Sequence, residues 1–231
     1  LHCDCDNLMC GIFGVVGRAD RELGERVARA IHHRGPDDSG VWIDKTDTPV
    51  TLANPRLAII DLSPAGHMPM LHSERGLAIT YNGEVYNFPE MRAELVDRCH
   101  EFNGHSDTEV ILAAIVEWGL EAAVGRFVGM FAFALWDRRE RTLALVRDRL
   151  GIKPLYYADG GGTLRVASQV KALLAGGGVD RAPSPAGNVG FFLWGSVPEP
   201  HTLYRHIHAV EAGSTLWVDS SGVKHLSRFH D

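Results

Sequence analysis

The sequence predicts an α+β fold: antiparallel sheets covered on their outer faces by helices. Three observations carry this. Strand-like runs in the middle of the chain follow one another across short turns, the helical segments fall between groups of strands, and there is no regular strand-helix-strand alternation. At 231 residues and 45% hydrophobic, the chain can bury one sizeable core, so a single domain is expected.

The elements can be justified in order. "CGIFGVVG", residues 10–17, is a short apolar, β-branched run ended by glycine, which suits a buried strand. "DRELGERVARAIHHRG" places Leu23, Val27, Ala30 and Ile31 on one helical face, with Asp20 available as a cap and Gly35 past the end. "RLAIIDL" (56–62) and "LAITYNGEVYN" (77–87) read as strands, and "FPEMRAELVDRC" as a helix with Pro89 in its first turn. In "SDTEVILAAIVEWG", Ser106 and Glu109 have the spacing of a capping box, and Gly119 follows the last periodic residue. "GMFAFALWD", "TLALVRD", "PLYYA" and "TLRVAS" then read as an antiparallel meander, before "SQVKALLAG" returns to helix. The glycine runs at 160–162 and 176–178 read as loops.

Composition excludes several classes of function. A formal net charge of -6 gives no global positive field for phosphate backbones or anionic lipid, so neither nucleic acid nor a membrane is an expected partner. The longest apolar run, "FVGMFAFALW" (127–136), is about half the ~20 residues a membrane span needs, and the acidic opening "LHCDCDNL" is unlike a signal peptide. The expected location is cytoplasmic. The 4 cysteines, at 3, 5, 10 and 99, form no secretory disulfide framework, and "CDC" lacks the second ligand pair of a structural zinc site, so no metal is expected. The 12 histidines show no metal-binding i, i+4 pair with a glutamate between, and read as surface or hydrogen-bonding residues.

Cys10 draws attention because Met9 precedes it. If Met9 is the initiator, its removal leaves Cys10 as the first residue, with an α-amine beside its own thiol. The amine titrates near ~7.7–8.0 and the thiol near ~8.5, so one residue could supply both a general base and a nucleophile at neutral pH. Attack on an amide carbonyl also needs oxyanion donors. "YNGEVYN" offers the Asn82 amide and an unhindered N–H at Gly83, although Asn82-Gly83 alone would also suit a type I′ hairpin turn. Arg56 can grip a carboxylate with two prongs, and Glu84 or Asp107 can hold an ammonium. Each also has a plainer reading: a surface strand arginine, a solvated edge charge, a carboxylate complementing a helix dipole.

Taken with "MCGIFG", "HHRGPDDSG", "RLAIIDLSPAGHMPM", "SDTEVIL", "GMFAFALWD", "RDRLGIKPLYY" and "VASQVKALL", these residues resemble, in order and context, the class II (N-terminal cysteine) glutamine amidotransferases. The resemblance is closest to the glutaminase domain of the glutamine-hydrolysing asparagine synthetase family, and it covers nearly the whole chain. It implies the four-layer αββα fold of N-terminal-nucleophile hydrolases. It makes Cys10 the nucleophile and base, and Asn82 and Gly83 the oxyanion hole. Arg56 would bind the α-carboxylate of L-glutamine, with Leu57, Ile59 and Ile60 lining the same pocket, and Glu84 and Asp107 would receive its α-amine. The implied reaction releases glutamate and ammonia through a γ-glutamyl thioester and needs no cofactor. ATP and magnesium are implied only for a synthetase domain or subunit that receives the ammonia and amidates aspartate, and the resemblance leaves room for a homodimer.

The expected organisation is a leader, residues 1–9, absent from the mature protein, and an amidotransferase type 2 (glutaminase) domain over 10–231, with the C-terminal synthetase domain absent. With the leader retained, the Cys10 nitrogen is an amide and no base, so a non-catalytic glutamine-binding module is the alternative. Another is an amidotransferase serving a different acceptor. Met68 stands where the family usually has glutamine, and Gln169 where it usually has glutamate. Both are expected nearer the next domain than the thiol.

Overall fold

The computed structural model describes residues 9–160, 162–219 and 222–230, with 223 and 224 described in backbone only. Cys3 and Cys5 lie outside the described residues. The strands form two antiparallel sheets. The first takes β1 (Phe13–Val16), β2 (Asp38–Asp44), β3 (Val50–Arg56), β8 (Tyr156–Gly160), β9 (Thr163–Ala167) and β10 (His208–Ala209), in the order β10-β8-β9-β1-β3-β2. The second takes β4 (Met70–His72), β5 (Leu77–Val85), β6 (Gly129–Asp137), β7 (Thr142–Arg147), β11 (Ser214–Asp219) and β12 (Gly222–Arg228), in the order β12-β11-β7-β6-β5-β4. Helices α1 (Arg21–Ala30) and α5 (Val170–Gly176) cover the first sheet, while α2 (Phe88–Asp97), α3 (Asp107–Trp118) and α4 (Leu120–Arg126) cover the second. A further helix, α6 (Pro185–Trp194), leaves Phe192 and Trp194 in solvent.

Side-chain alternation builds the four layers. On β6, Phe131, Phe133 and Leu135 face α3 and α4, whereas Ala132, Ala134 and Trp136 face the other sheet. Both faces are therefore buried, which is why this strand reads as one continuous apolar run. On β1, Phe13 and Val15 pack against Leu23 and Val27 of α1, while Val16 and the preceding Ile12 turn inward to Leu52 and Val166. A buried polar tie crosses between the sheets: Asn54 Nδ2 on β3 donates to Thr80 Oγ1 and Tyr81 O on β5, each at 3.0 Å.

Several expectations need correction. The strand read at 56–62 lies upstream, at Val50–Arg56. From Leu57 onward the backbone bonds to Cys10 Sγ and Asp37 Oδ2 instead of to a ladder, and Ile59 and Leu62 are 68% and 77% exposed. The four-strand meander is two hairpins in different sheets, because the chain crosses over between Arg147 and Tyr156. On α1, Ala28 and Gly24 are buried in place of Ala30, and a 3-10 turn, His32–Arg34, separates the helix from Gly35. Ser106 does cap α3, accepting from Glu109 N at 3.3 Å, but the Glu109 carboxylate turns away to accept from Asn103 N (2.7 Å) and Gly104 N (2.9 Å). Asn82-Gly83 is no hairpin turn: β5 runs straight through it, pairing Asn82 with Ala132 and Gly83 with Phe131.

Candidate active site

A small cavity of about 210 Å³ opens where β1 begins and β3 and β5 end, near the start of α3. Cys10 lies on its wall, just before β1. The residues that follow are pinned: Gly11 N donates to Pro55 O (2.7 Å), and Ile12 exchanges bonds with Ser168, N to Oγ at 2.9 Å and O from N at 3.0 Å. Leu57 N donates to Cys10 Sγ at 3.3 Å, and the thiol in turn donates to Leu57 O at 3.6 Å. Burial raises the Cys10 pKa, opposed by the Leu57 N–H and then by Arg56. The thiol thus keeps its proton until a base removes it.

β3 delivers Arg56 as its last residue, 8% exposed. The loop that follows wraps around the guanidinium: Asp61 O accepts from Arg56 Nη2, and Gly66 makes room, since a Cβ there would collide with the same nitrogen. Asp61 keeps this loop in shape, accepting from Ser63 N and His105 N, each at 2.8 Å. Bonds from Ser63 and then His105 lower its pKa to about 2. Leu57, Ile59 and Ile60 line the cavity from this loop.

β5 delivers the donors. Asn82 is 1% exposed, and its amide nitrogen, Nδ2, has no hydrogen-bond partner. A buried donor left unmade costs about 1–3 kcal/mol, so an acceptor supplied by a bound molecule would relieve it. Gly83 has φ 157°, and a Cβ there would meet Met130 O and Phe131, so only glycine keeps β5 on its path. Half-buried Glu84 follows on the cavity wall. Asp107, 4% exposed at the start of α3, accepts from Tyr81 OH (2.6 Å) and Val85 N (3.1 Å) through Oδ2. Burial raises its pKa, with the Tyr81 bond the largest opposing influence.

The cavity therefore brings together every residue singled out from the sequence: Cys10, Arg56, Leu57, Ile59, Ile60, Asn82, Gly83, Glu84 and Asp107. Arg56 is buried, so the plainer reading that leaves it at the surface does not describe it, whereas Asp107, though buried, does stand in the first turn of α3 as its plainer reading has it. Met68 corrects an expectation: it is 4% exposed and forms part of the cavity wall. Gln169 adjoins Ser168, the anchor of Ile12, and its Oε1 is buried without a partner. Of the two departures, Met68 lies in the thiol site itself, and Gln169 is not among the residues lining it.

Sequence reasoning assigned no role to Arg34, Tyr81, Asp61 or Lys153. Arg34, 2% exposed, donates from Nε to Cys10 O at 3.2 Å. It lies within the block "HHRGPDDSG", but nothing in that block indicates which backbone group the arginine reaches. Among the described residues, no cluster of three or more His, Cys, Asp or Glu could hold a metal, and no helix is long and apolar enough to cross a membrane.

Two solved structures share this fold: glutamine phosphoribosylpyrophosphate amidotransferase from B. subtilis (TM-score 0.69, 20% identity) and an allosteric regulatory enzyme of purine biosynthesis (0.70, 19%). Each match covers 95% of this chain and 49% of the other. The chain belongs to the glutamine amidotransferase domain family, whose model matches residues 9–230. Among curated relatives, it is 34% identical to asparagine synthetase [glutamine-hydrolyzing] 3 of Bacillus subtilis over 93% of this chain and 36% of that protein. It is 37% identical to a putative asparagine synthetase of Mycobacterium tuberculosis over 89% of this chain and 34% of that protein. The chain thus spans about a third of the length of these relatives.

Proposed function

We propose that this protein hydrolyses L-glutamine to glutamate and ammonia through a γ-glutamyl thioester on Cys10. The observation that carries the reading is the pairing, in one cavity, of the Cys10 thiol with the partnerless Asn82 amide. In this reading Met9 and whatever precedes it are absent from the working protein, so Cys10 carries a free α-amine. Arg56 holds the substrate α-carboxylate, Leu57, Ile59 and Ile60 shape the pocket, and Glu84 and Asp107 take the α-ammonium.

The α-amine takes the thiol proton as Sγ attacks the side-chain carbonyl carbon. The resulting oxyanion accepts from Asn82 Nδ2 and Gly83 N–H, where one donor is worth about 2.7–4 kcal/mol of transition-state stabilisation. As the intermediate collapses, the carbon–nitrogen bond breaks, and the amine returns its proton to the departing nitrogen, which leaves as ammonia. Water then attacks the thioester, breaking the carbon–sulfur bond to give glutamate and the free thiol. No step of this half draws on a cofactor. The relatives' names, glutamine-hydrolyzing asparagine synthetases, support delivery of the ammonia to asparagine synthesis; in this reading a synthetase domain or subunit amidates aspartate with ATP and magnesium.

Purified protein beginning at Cys10, supplied with L-glutamine, is expected to release glutamate and ammonia one to one. Cys10→Ala is expected to reduce release by at least about 10³-fold while thermal unfolding stays within a few degrees. Undiminished release by the variant would reject the nucleophile.

A further inference from the structure

The mechanism leaves one cation of the cavity lining unused. Lys153 follows β7 in the turn "DRLGIK" and is 7% exposed. Its backbone is clamped on both sides, N donating to Asp148 Oδ2 at 2.9 Å and O accepting from Arg147 Nε at 3.0 Å. The side chain reaches the cavity, where Nζ lies 3.0 Å from Met9 Sδ.

A buried lysine with a purely structural role is expected to pair with a carboxylate. The nearby candidate is Asp148, but its oxygens are engaged by backbone N–H groups of Phe131, Leu150, Ile152 and Lys153. The two other cations near Cys10 each have a backbone acceptor in hand. Arg34, from the 3-10 turn, donates to Cys10 O, and Arg56, from β3, donates to Asp61 O. Lys153 is left facing the sulfur of the residue whose removal would free the Cys10 amine. Tyr81 and Glu84 on β5, Asp61 on the loop after β3 and Asp107 on α3 are the remaining ionisable groups that line the cavity.

We propose that Lys153 is a positioning residue for the Cys10 site: with Met9 gone, its ammonium faces the α-amine and thiol, favouring the amine as free base and the sulfur as thiolate. The proposal rests on the reading of Cys10 as the N-terminal residue. Burial and, after it, repulsion from Arg34 lower the Lys153 pKa, while Cys10, Asp148 and Glu84 oppose the shift. Removing the cation raises the pKa of both Cys10 groups, since a neighbouring positive charge disfavours an ammonium and favours a thiolate.

The test uses the chain beginning at Cys10, with Lys153→Met, Lys153→Gln and Lys153→Arg. Iodoacetamide alkylation of Cys10 is followed by mass against pH, with exposed Cys99 as the internal reference, and glutamate release is measured in parallel. The Met and Gln variants are expected to alkylate about three- to tenfold more slowly at pH 7, with the acid limb of glutamate release moved to higher pH. Arg is expected to restore both. An alkylation profile unchanged in folded Met and Gln variants would overturn the proposal, as would equal slowing in all three variants, which indicates packing in place of charge. Should the unsubstituted chain release no glutamate while the alkylation shift persists, the glutaminase reading fails and the Lys153 assignment stands.

Discussion

At the residue scale, the site is a set of side chains whose backbones are held more firmly than their functional atoms. Arg56 shows this. Its guanidinium is clasped by the Asp61 carbonyl, so part of its hydrogen-bonding capacity is committed to the loop and the remainder faces the cavity. Arg56→Lys keeps the charge but loses the planar fork, and is expected to raise KM for glutamine about tenfold with a much smaller change in kcat. Steady-state kinetics decides this, and a large fall in kcat at constant KM would contradict the carboxylate role. Local motifs made the nine predicted residues legible, because each lies in a short block of recognisable chemistry. Arg34 and Lys153 were not legible, because their relevance depends on contacts to Cys10 and Met9 across 24 and 144 positions of sequence.

At the element scale, β3 and β5, from different sheets, bring Arg56 and the Asn82-Gly83 pair to one cavity. The buried Asn54–Thr80 bond joins the two strands two residues before Arg56 and two before Asn82. Asn54→Ala leaves buried partners unmatched and is expected to cost about 1–3 kcal/mol. In a chain of this size that corresponds to a melting temperature lower by roughly 2–10 °C. Calorimetry measures it, and an unchanged melting temperature would show that the tie does not hold the sheets together. α2, α3 and α5 were legible to within about two residues, through signals such as Pro89, Ser106 and Gly119, whereas α1 stops at Ala30, short of the Gly35 taken as its end, and α4 and α6 were not read at all. The strand before the site was misplaced because "RLAIIDL" is apolar for a different reason: its Ile60 lines a cavity and its Leu62 lies in solvent. Periodicity does not separate these cases from a core strand.

At the scale of the whole molecule, two sheets between helical layers hold the Cys10 thiol just before an inner strand, against the loop that follows β3. The layered α+β class could be read from strand groups and turn lengths. The division of strands between two sheets could not, since it depends on a crossover after Arg147 that carries no local signature. The central claim is likewise molecular: catalysis needs the N-terminus of the working protein to be Cys10. The most direct measurement is the rate of glutamate release by two purified chains of verified intact mass, one beginning at Cys10 and one keeping residues 1–9. The chain beginning at Cys10 is expected to be faster by at least about 10³-fold, and equal rates with residues 1–9 still attached would contradict the account.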